Sequence, residues 1–178
     1  MSEQKSLLAE ARGLDSQVLA RLYDEYSPGL YRYAMRLLGD QDLAEECVSE
    51  TFARFLQALH RGRGPRDHLQ AYLYRIAHNW IVDQFRSVKL VAPLNETFTD
   101  EQPGPEHDVT QRLQKASIQA AIRKLTSDQQ QVIVLKYLEG WENLEIARAL
   151  RKPVGAVKSL QHRALAALRK HLQREEQG

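Results

Sequence analysis

The chain has 178 residues, of which 43% are hydrophobic and 27% charged, with one cysteine and a formal net charge of +2. This composition belongs to an ordinary folded chain with room for one medium domain or two small ones. It excludes an internal disulfide and a cysteine-built zinc site, because Cys47 has no second thiol. It also excludes a membrane-inserted helix, since no apolar run is long enough. Residues 1–12 mix Glu, Gln, Lys and Ser without the apolar stretch of a secretory leader, so the expected location is cytoplasmic.

Charge is unevenly spread. Residues 1–95 carry 12 basic and 12 acidic side chains, residues 96–112 carry one arginine against five acids, and residues 113–178 carry 12 basic and 6 acidic. A neutral part, an acidic part and a basic part suggest separate tasks.

Helical periodicity runs through nearly the whole chain, and no strand alternation appears, so the expected class is all-α. Asp15 is placed to cap a first helix bearing Val18, Leu19, Leu22, Tyr23 and Tyr26. Ser27-Pro28-Gly29 is expected to interrupt it, because proline removes a helix donor. A second helix with Leu30, Tyr31, Tyr33, Ala34, Leu37 and Leu38 should stop at Gly39.

Asp40 is placed to cap a third helix, reaching about Leu59. At 100° per residue, Ala44, Cys47, Val48, Thr51, Phe52, Phe55, Leu56 and Leu59 share one side. Asp42, Glu46, Ser49, Glu50, Ala53, Arg54 and Gln57 share the other. Acids near a helix start are favoured by the dipole, but Glu50 lies beyond the first turns. The acidic side reads either as a solvated face or as a docking face for a basic protein partner.

Residues 60–68 form a loop by their Gly and Pro content, carrying three arginines and two histidines. A fourth helix follows from Leu69 to about Arg86. Basic residues interleaved with Tyr72, Tyr74, Trp80 and Phe85 suit single-stranded DNA, where cations hold the backbone and rings stack on bases. The recurrence of Leu73, Ile76, Ala77 and Trp80 requires some of those rings in a core.

Residues 91–108 contain three prolines and lose periodicity, which reads as a flexible acidic linker. Helix resumes over 109–124 with Leu113, Ala116, Ile118, Ala120, Ala121 and Ile122. Thr126-Ser127-Asp128-Gln129 then offers a cap for a helix through Val132, Ile133, Leu135, Tyr137 and Leu138, ending at Gly140. Residues 142–172 form a short amphipathic helix, a break, and a longer basic helix. Ile146, Ala147, Leu150, Val154, Val157 and Leu160 fall where a helix-turn-helix needs apolar or small residues, leaving Lys152, Lys158, Ser159, His162 and Arg163 outward. That pattern suits a helix that enters a DNA major groove; the plainer alternative is a helical hairpin with a solvated basic face.

Catalytic signatures are missing. There is no Glu-x-x-His pair, no His-Glu-x-x-His, no phosphate-binding glycine loop and no Gly-x-Ser-x-Gly, and the six histidines show no ligand spacing. The chain is therefore expected to be no enzyme and to hold no metal or cofactor. Cys47, on the apolar side of its helix, reads as a buried inert thiol.

Two ordered stretches resemble one family. Leu-Tyr-Arg-Tyr-Ala from Leu30, Ala-Glu-Glu-Cys-Val-Ser-Glu-Thr-Phe from Ala44 and Ala-Tyr-Leu-Tyr-Arg-Ile-Ala-His-Asn-Trp from Ala71 resemble region two of the bacterial RNA polymerase sigma factors of the extracytoplasmic-function (ECF) group, in the sigma-70 family. Leu-Glu-Gly-Trp-Glu-Asn-Leu-Glu-Ile-Ala from Leu138 and Val-Gly-Ala-Val-Lys-Ser from Val154 resemble region four. The resemblance implies two small helical domains, 1–90 and 109–178, joined by the linker at 91–108, with the helix-turn-helix in the second.

It further implies a transcription initiation factor that binds core RNA polymerase and directs it to promoters. Asp42, Glu46 and Glu50 would dock on the clamp helices of the largest subunit, with the flap as a second polymerase contact. Arg61, Arg63, Arg66, Arg75, His78 and Asn79 would engage the −10 element, where single-strand readers capture bases outside the stack. Lys152, Gly155, Lys158, Ser159, His162 and Arg163 would read the −35 element as duplex. An anti-sigma protein is a further implied partner. Two departures from the family's pattern stand out: Arg151 where glycine is common in the turn, and Leu160-Gln161 in place of an arginine-containing pair. The competing reading is a stand-alone helix-turn-helix regulator, which would leave the acidic helix and the basic loop idle.

Overall fold

A computed structural model describes the backbone of residues 2–91 and 106–178, and the side chains of 3–87 and 109–178. Every regular element in it is helical. They are α1 (Ser2–Arg12), α2 (Ser16–Leu38), α3 (Gln41–His60), α4 (Leu69–Val91), α5 (Glu106–Arg123), α6 (Ser127–Ile133), a π-helical turn (Val134–Leu138), α7 (Asn143–Leu150) and α8 (Val154–Gln177). Most of the acidic segment at 91–108 lies outside the described residues.

The N-terminal half is built on α2. Asp15 accepts from the backbone N–H groups of Gln17 and Val18, and Gly39 closes the helix with φ 68. The expected break at residues 27–29 is absent: α2 continues through Pro28. A buried stripe of Val18, Leu22, Tyr26, Leu30, Tyr33, Ala34 and Leu37 spans both sides of the proline. Burial at about 1.5–3 kcal/mol per large side chain outweighs the roughly 3 kcal/mol that an internal proline costs. Gly29 serves packing instead, because a Cβ there would come within 2.5 Å of the Tyr74 hydroxyl on α4.

Asp40 caps α3 through the Leu43 N–H, and the predicted apolar side is buried except for Leu56, which is exposed. Of the interleaved rings, Tyr74 and Trp80 are core residues, while Tyr72 and Phe85 are half-buried. Cys47 is buried, and burial pushes its thiol up to about 12. Sequence periodicity did not mark α1 as an element. It is held by Leu8 and Ala11, both in the core, and by a hydrogen bond from Gln4 to the Tyr26 hydroxyl.

In the C-terminal half, Thr126 and Gln129 form the reciprocal cap at the start of α6. The helix expected to continue to Gly140 loosens into the π turn, where the Glu139 N–H reaches back five residues to the Val134 carbonyl. Tyr137 and Leu138, read as part of an apolar face, are exposed, as are Leu113, Ala116 and Ile118 on α5. Only the last turns of α5 reach the core, through Ala121 and Ile122.

The halves pack against each other, and one buried cluster runs from Leu8 to Ala164 across both. Tyr74 of α4 meets Trp141 edge-on, with ring centroids 4.7 Å apart. Glu139 binds Arg36 at 2.7 Å and lies 3.8 Å from Arg32, both on α2. Carbonyls at the end of α2 are met from α5: Arg123 donates to Leu38 O at 2.8 Å, and Gln119 donates to Arg36 O and to Met35 O, which also accepts from the Gly39 N–H.

Candidate nucleic-acid and polymerase interfaces

The helix-turn-helix forms as the apolar pattern requires. Ile146, Ala147, Val157 and Leu160 are buried, and the α7–α8 turn is made by Arg151 in the left-handed region, φ 54. An arginine there costs of order 1 kcal/mol against glycine. Gly155, Lys158, Ser159, His162 and Arg163 are exposed on α8. Lys152 is half-buried and paired with Asp128 at 3.4 Å. A Cβ on Gly155 would meet nothing within 4 Å, so the structure around it does not require glycine. The bare backbone there leaves room for another molecule to approach closely.

Gln161 donates through Nε2 to the Asn143 side-chain oxygen at 2.7 Å and is buried. That bond ties α8 to the start of α7 and takes Gln161 out of the outward face. The seam between the two helices thus includes position 161, which fits its place on the wheel near Leu168 and Leu172.

The basic loop presents Arg61, Arg63 and Arg66 to solvent. Its course is steadied from α1, where Arg12 donates to the carbonyls of Gly64 and Pro65 at 3.4 Å each. On α4, Asn79 is exposed, but Arg75 and His78 face the C-terminal half. Arg75 donates to Arg148 O at 2.8 Å and to Ala149 O at 3.0 Å. His78 is 2% exposed, between the Tyr33 hydroxyl at 2.7 Å and Ser127 of α6. The Ser127 carbonyl, 3.0 Å from Nε2, can only accept, so Nε2 carries the proton and Nδ1 accepts from Tyr33. Burial drives the imidazole down to about 4, so it is neutral near pH 7.

The acidic side of α3 exposes Asp42 and Glu46. Glu50 is half-buried and paired with Arg54 at 3.1 Å. The residues read for the −10 element do not all share one surface: Arg63, Arg66 and Arg75 line a common cleft, whereas His78 sits inside the interface. Arg148 and Arg151 line the same cleft from the other half. No sequence signal joins them to the loop, because the approach exists only through the packing of α4 on α7. Among the described residues no group of three or more His, Cys, Asp or Glu gathers as metal ligands would, and no helix is long and apolar enough to cross a membrane.

Comparison with known proteins matches two separate stretches of the chain. Residues 22–90 match the family described as sigma-70 region 2, and residues 115–168 match sigma-70, region 4. The chain is 34% identical to the ECF RNA polymerase sigma factor SigL of Mycobacterium tuberculosis, over 92% of this chain and 93% of that protein. It is 33% identical to the ECF RNA polymerase sigma factor BldN of Streptomyces coelicolor, over 91% of this chain and 63% of that relative's length. Among solved structures it resembles CnrH in complex with the cytosolic domain of CnrY, with TM-score 0.71 and 24% identity, covering 96% of this chain and 97% of that one. The last likeness is one of fold.

Proposed function

The chain belongs to the ECF group of sigma-70 RNA polymerase sigma factors, and on that premise we propose how its parts share the work of promoter selection. A sigma factor is a non-catalytic subunit that directs RNA polymerase to promoters. Residues 1–90 act as the domain that docks on core polymerase and opens the −10 element, 91–108 as the linker, and 109–178 as the −35 reader. The observation that carries this reading is the exposed polar and basic face of α8, on a helix-turn-helix that follows the region-2 half in family order.

Asp42 and Glu46 dock on the clamp helices of the largest subunit, with Glu50 at the edge of that surface; the region-4 half meets the flap. Exposed acids on one helix face suit a basic helical partner. Arg61, Arg63, Arg66 and Asn79 meet the −10 strand. Arg75 and His78 join them only when the halves separate, since both are now engaged across the interface. Lys152, Gly155, Lys158, Ser159, His162 and Arg163 engage the −35 duplex. Tethering lets each DNA contact be weak, because the first raises the effective concentration of the second. An anti-sigma protein that stabilises the packed halves is the expected negative regulator.

The test is reconstitution. Purified chain and core polymerase should co-elute as a one-to-one complex and start transcripts at defined positions on genomic fragments. Failure to form that complex with no inhibitory protein present overturns the proposal.

A further inference from the structure

Five arginines from both halves converge on one open cleft of about 630 Å³. Arg63 and Arg66 come from the loop after α3, Arg75 from α4, Arg148 from α7 and Arg151 from the turn that follows it. A single carboxylate, Asp67, lines the same cleft, and its described ion-pair contact is with His68 at 3.8 Å. Among the described residues, no hydrogen bond or ion pair engages the guanidinium groups of Arg63, Arg66, Arg148 or Arg151. Burial first, and then the nearby charge of Arg151, lower the pKa of Arg75, so the cations already feel one another.

The backbone carries a matching sign. Three non-glycine residues have left-handed φ, and two of them, His68 (φ 50) and Arg151 (φ 54), line this cleft. Strain of this kind is concentrated where proteins bind ligands. At Arg151 a glycine would make the turn without strain, and the arginine adds one more cation to the cleft.

We propose that the cleft between the halves is a binding site for a small oligophosphate, a nucleoside polyphosphate or an inorganic chain, gripped by guanidinium groups of both halves at once. Guanidinium forks pair with phosphate oxygens two at a time, and charge-assisted bonds of this type are the strong ones. The volume falls within the range of small-molecule sites, about 300–1,000 Å³. Half-buried Tyr72 on the wall offers a face for a base. Positive charge concentrated in one cleft, rather than along a groove, favours a compact anion over an extended acidic peptide.

Because the grip needs both halves, the ligand binds the packed arrangement in preference to a separated one and shifts the population toward it. It would also occupy Arg63 and Arg66, so promoter engagement falls as ligand rises. That consequence rests on the function proposed above; the binding itself does not.

The experiment is calorimetric titration of the full chain at a fixed ionic strength of about 0.15 M. The probes are tripolyphosphate, ATP without divalent metal, and hexaglutamate. Tripolyphosphate and ATP should each bind at one site per chain. Arg151→Gly should weaken both by about tenfold or more, the worth of one charge-assisted hydrogen bond. The same variant should melt no lower than the wild type, since glycine suits the left-handed turn. Arg169→Gln, an exposed cation outside the cleft, should leave affinity unchanged. Tighter binding of ATP than of tripolyphosphate assigns the site to a nucleotide, and equal binding assigns it to an inorganic chain. The proposal is overturned if neither phosphate binds, if hexaglutamate binds as tightly, or if Arg169→Gln weakens binding as much as Arg151→Gly. Neither polymerase nor DNA is in the cell, so failure here leaves the sigma-factor reading untouched.

Discussion

The Arg75 guanidinium donates to the main-chain carbonyl of Arg148 at 2.8 Å, so a residue read for DNA instead caps the first helix of the helix-turn-helix. Helix ends leave carbonyls unpaired, and a cation suits that end of the dipole. The same device runs the other way at the end of α2, where Gln119 and Arg123 supply the donors. Each half therefore finishes a helix of the other. Replacing Arg75 with Met should weaken the packed arrangement by about 1.5–3 kcal/mol, the scale of hydrogen bonds from a charged group, with the lower end favoured because Arg75 is only half-buried. Small-angle scattering should show a larger radius of gyration, and amide exchange should quicken at the end of α7. If both stay as in the wild type, the contact does not hold the halves together.

His78 makes the structure sensitive to acid. Its imidazole lies between Tyr33 on α2 and Ser127 on α6, and burial lowers its pKa, offset in part by the hydrogen bond to the Ser127 carbonyl and then by the charge of Asp128. The folded value, about 4, is below the ordinary 6.5, so protonation favours states in which His78 is exposed. The stability contributed by the neutral ring is full above pH 6.5 and is lost as pH falls from there toward 4. The total is on the order of 3 kcal/mol. Denaturant midpoints measured from pH 7.5 to 4 should fall through that window. His78→Gln should flatten the part of the fall that exceeds the common carboxylate titration; an unchanged profile in that variant rules the assignment out.

What could be read in advance follows from how local each signal is. Caps at Asp15, at Asp40 and within Thr126–Gln129, the stop at Gly39 and the buried side of α3 depend on neighbours within one or two turns, and their residue types state them. The continuation of α2 through Pro28 does not, because it is decided by α4 packing on Gly29 and by a stripe that continues on both sides. Likewise α1 carries only Leu8 and Ala11 into the core, too few to register as a period, yet both are buried by α2 and α3. The acidic face, the basic loop and the outward side of α8 were legible as surfaces. The approach of Arg63 and Arg66 to Arg148 and Arg151 was not, since no pattern along the chain encodes how two halves meet.

Arg151 should be a place where the chain can be made more stable. Its φ of 54 is one that glycine adopts freely, and L-residues pay about 1–2 kcal/mol for it. Arg151→Gly loses part of that gain through the greater freedom of glycine when unfolded. A net rise of about 2–4 °C in melting temperature, the shift worth about 1 kcal/mol in a chain of this size, is the expected result. A fall would mean that the arginine side chain makes a contact worth more than its backbone costs.

The polymerase face can be separated from stability because its acids make few contacts. Asp42 and Glu46 are exposed, and neither enters a described ion pair. Reversing both, Asp42→Arg with Glu46→Arg, should leave the melting temperature within a few degrees, allowing for the loss of one favourable acid near the start of α3. Complex formation with core polymerase should weaken by at least about tenfold, since juxtaposed like charge costs more than a lost surface pair. A double variant that binds core normally places the docking surface elsewhere.

On α8, phosphate contact and base contact should be separable by salt. Lys158 is exposed one turn in from the helix start, where a cation meets the backbone of a duplex entered by that end. Lys158→Ala should weaken binding to related and unrelated −35 sequences alike and reduce the slope of log affinity against log salt by about 1. His162 and Ser159 are exposed beside it, one turn or less away, and carry polar groups of the kind that read base edges. His162→Ala or Ser159→Ala should keep the salt slope and change which −35 sequences are preferred, with about 1–3 kcal/mol at the affected base pair. The measurement is competition of promoter fragments for the polymerase complex at several salt concentrations. If Lys158→Ala instead alters preference while His162→Ala alters the slope, the two sides of α8 have been exchanged, and its rotation in the groove must be assigned the other way.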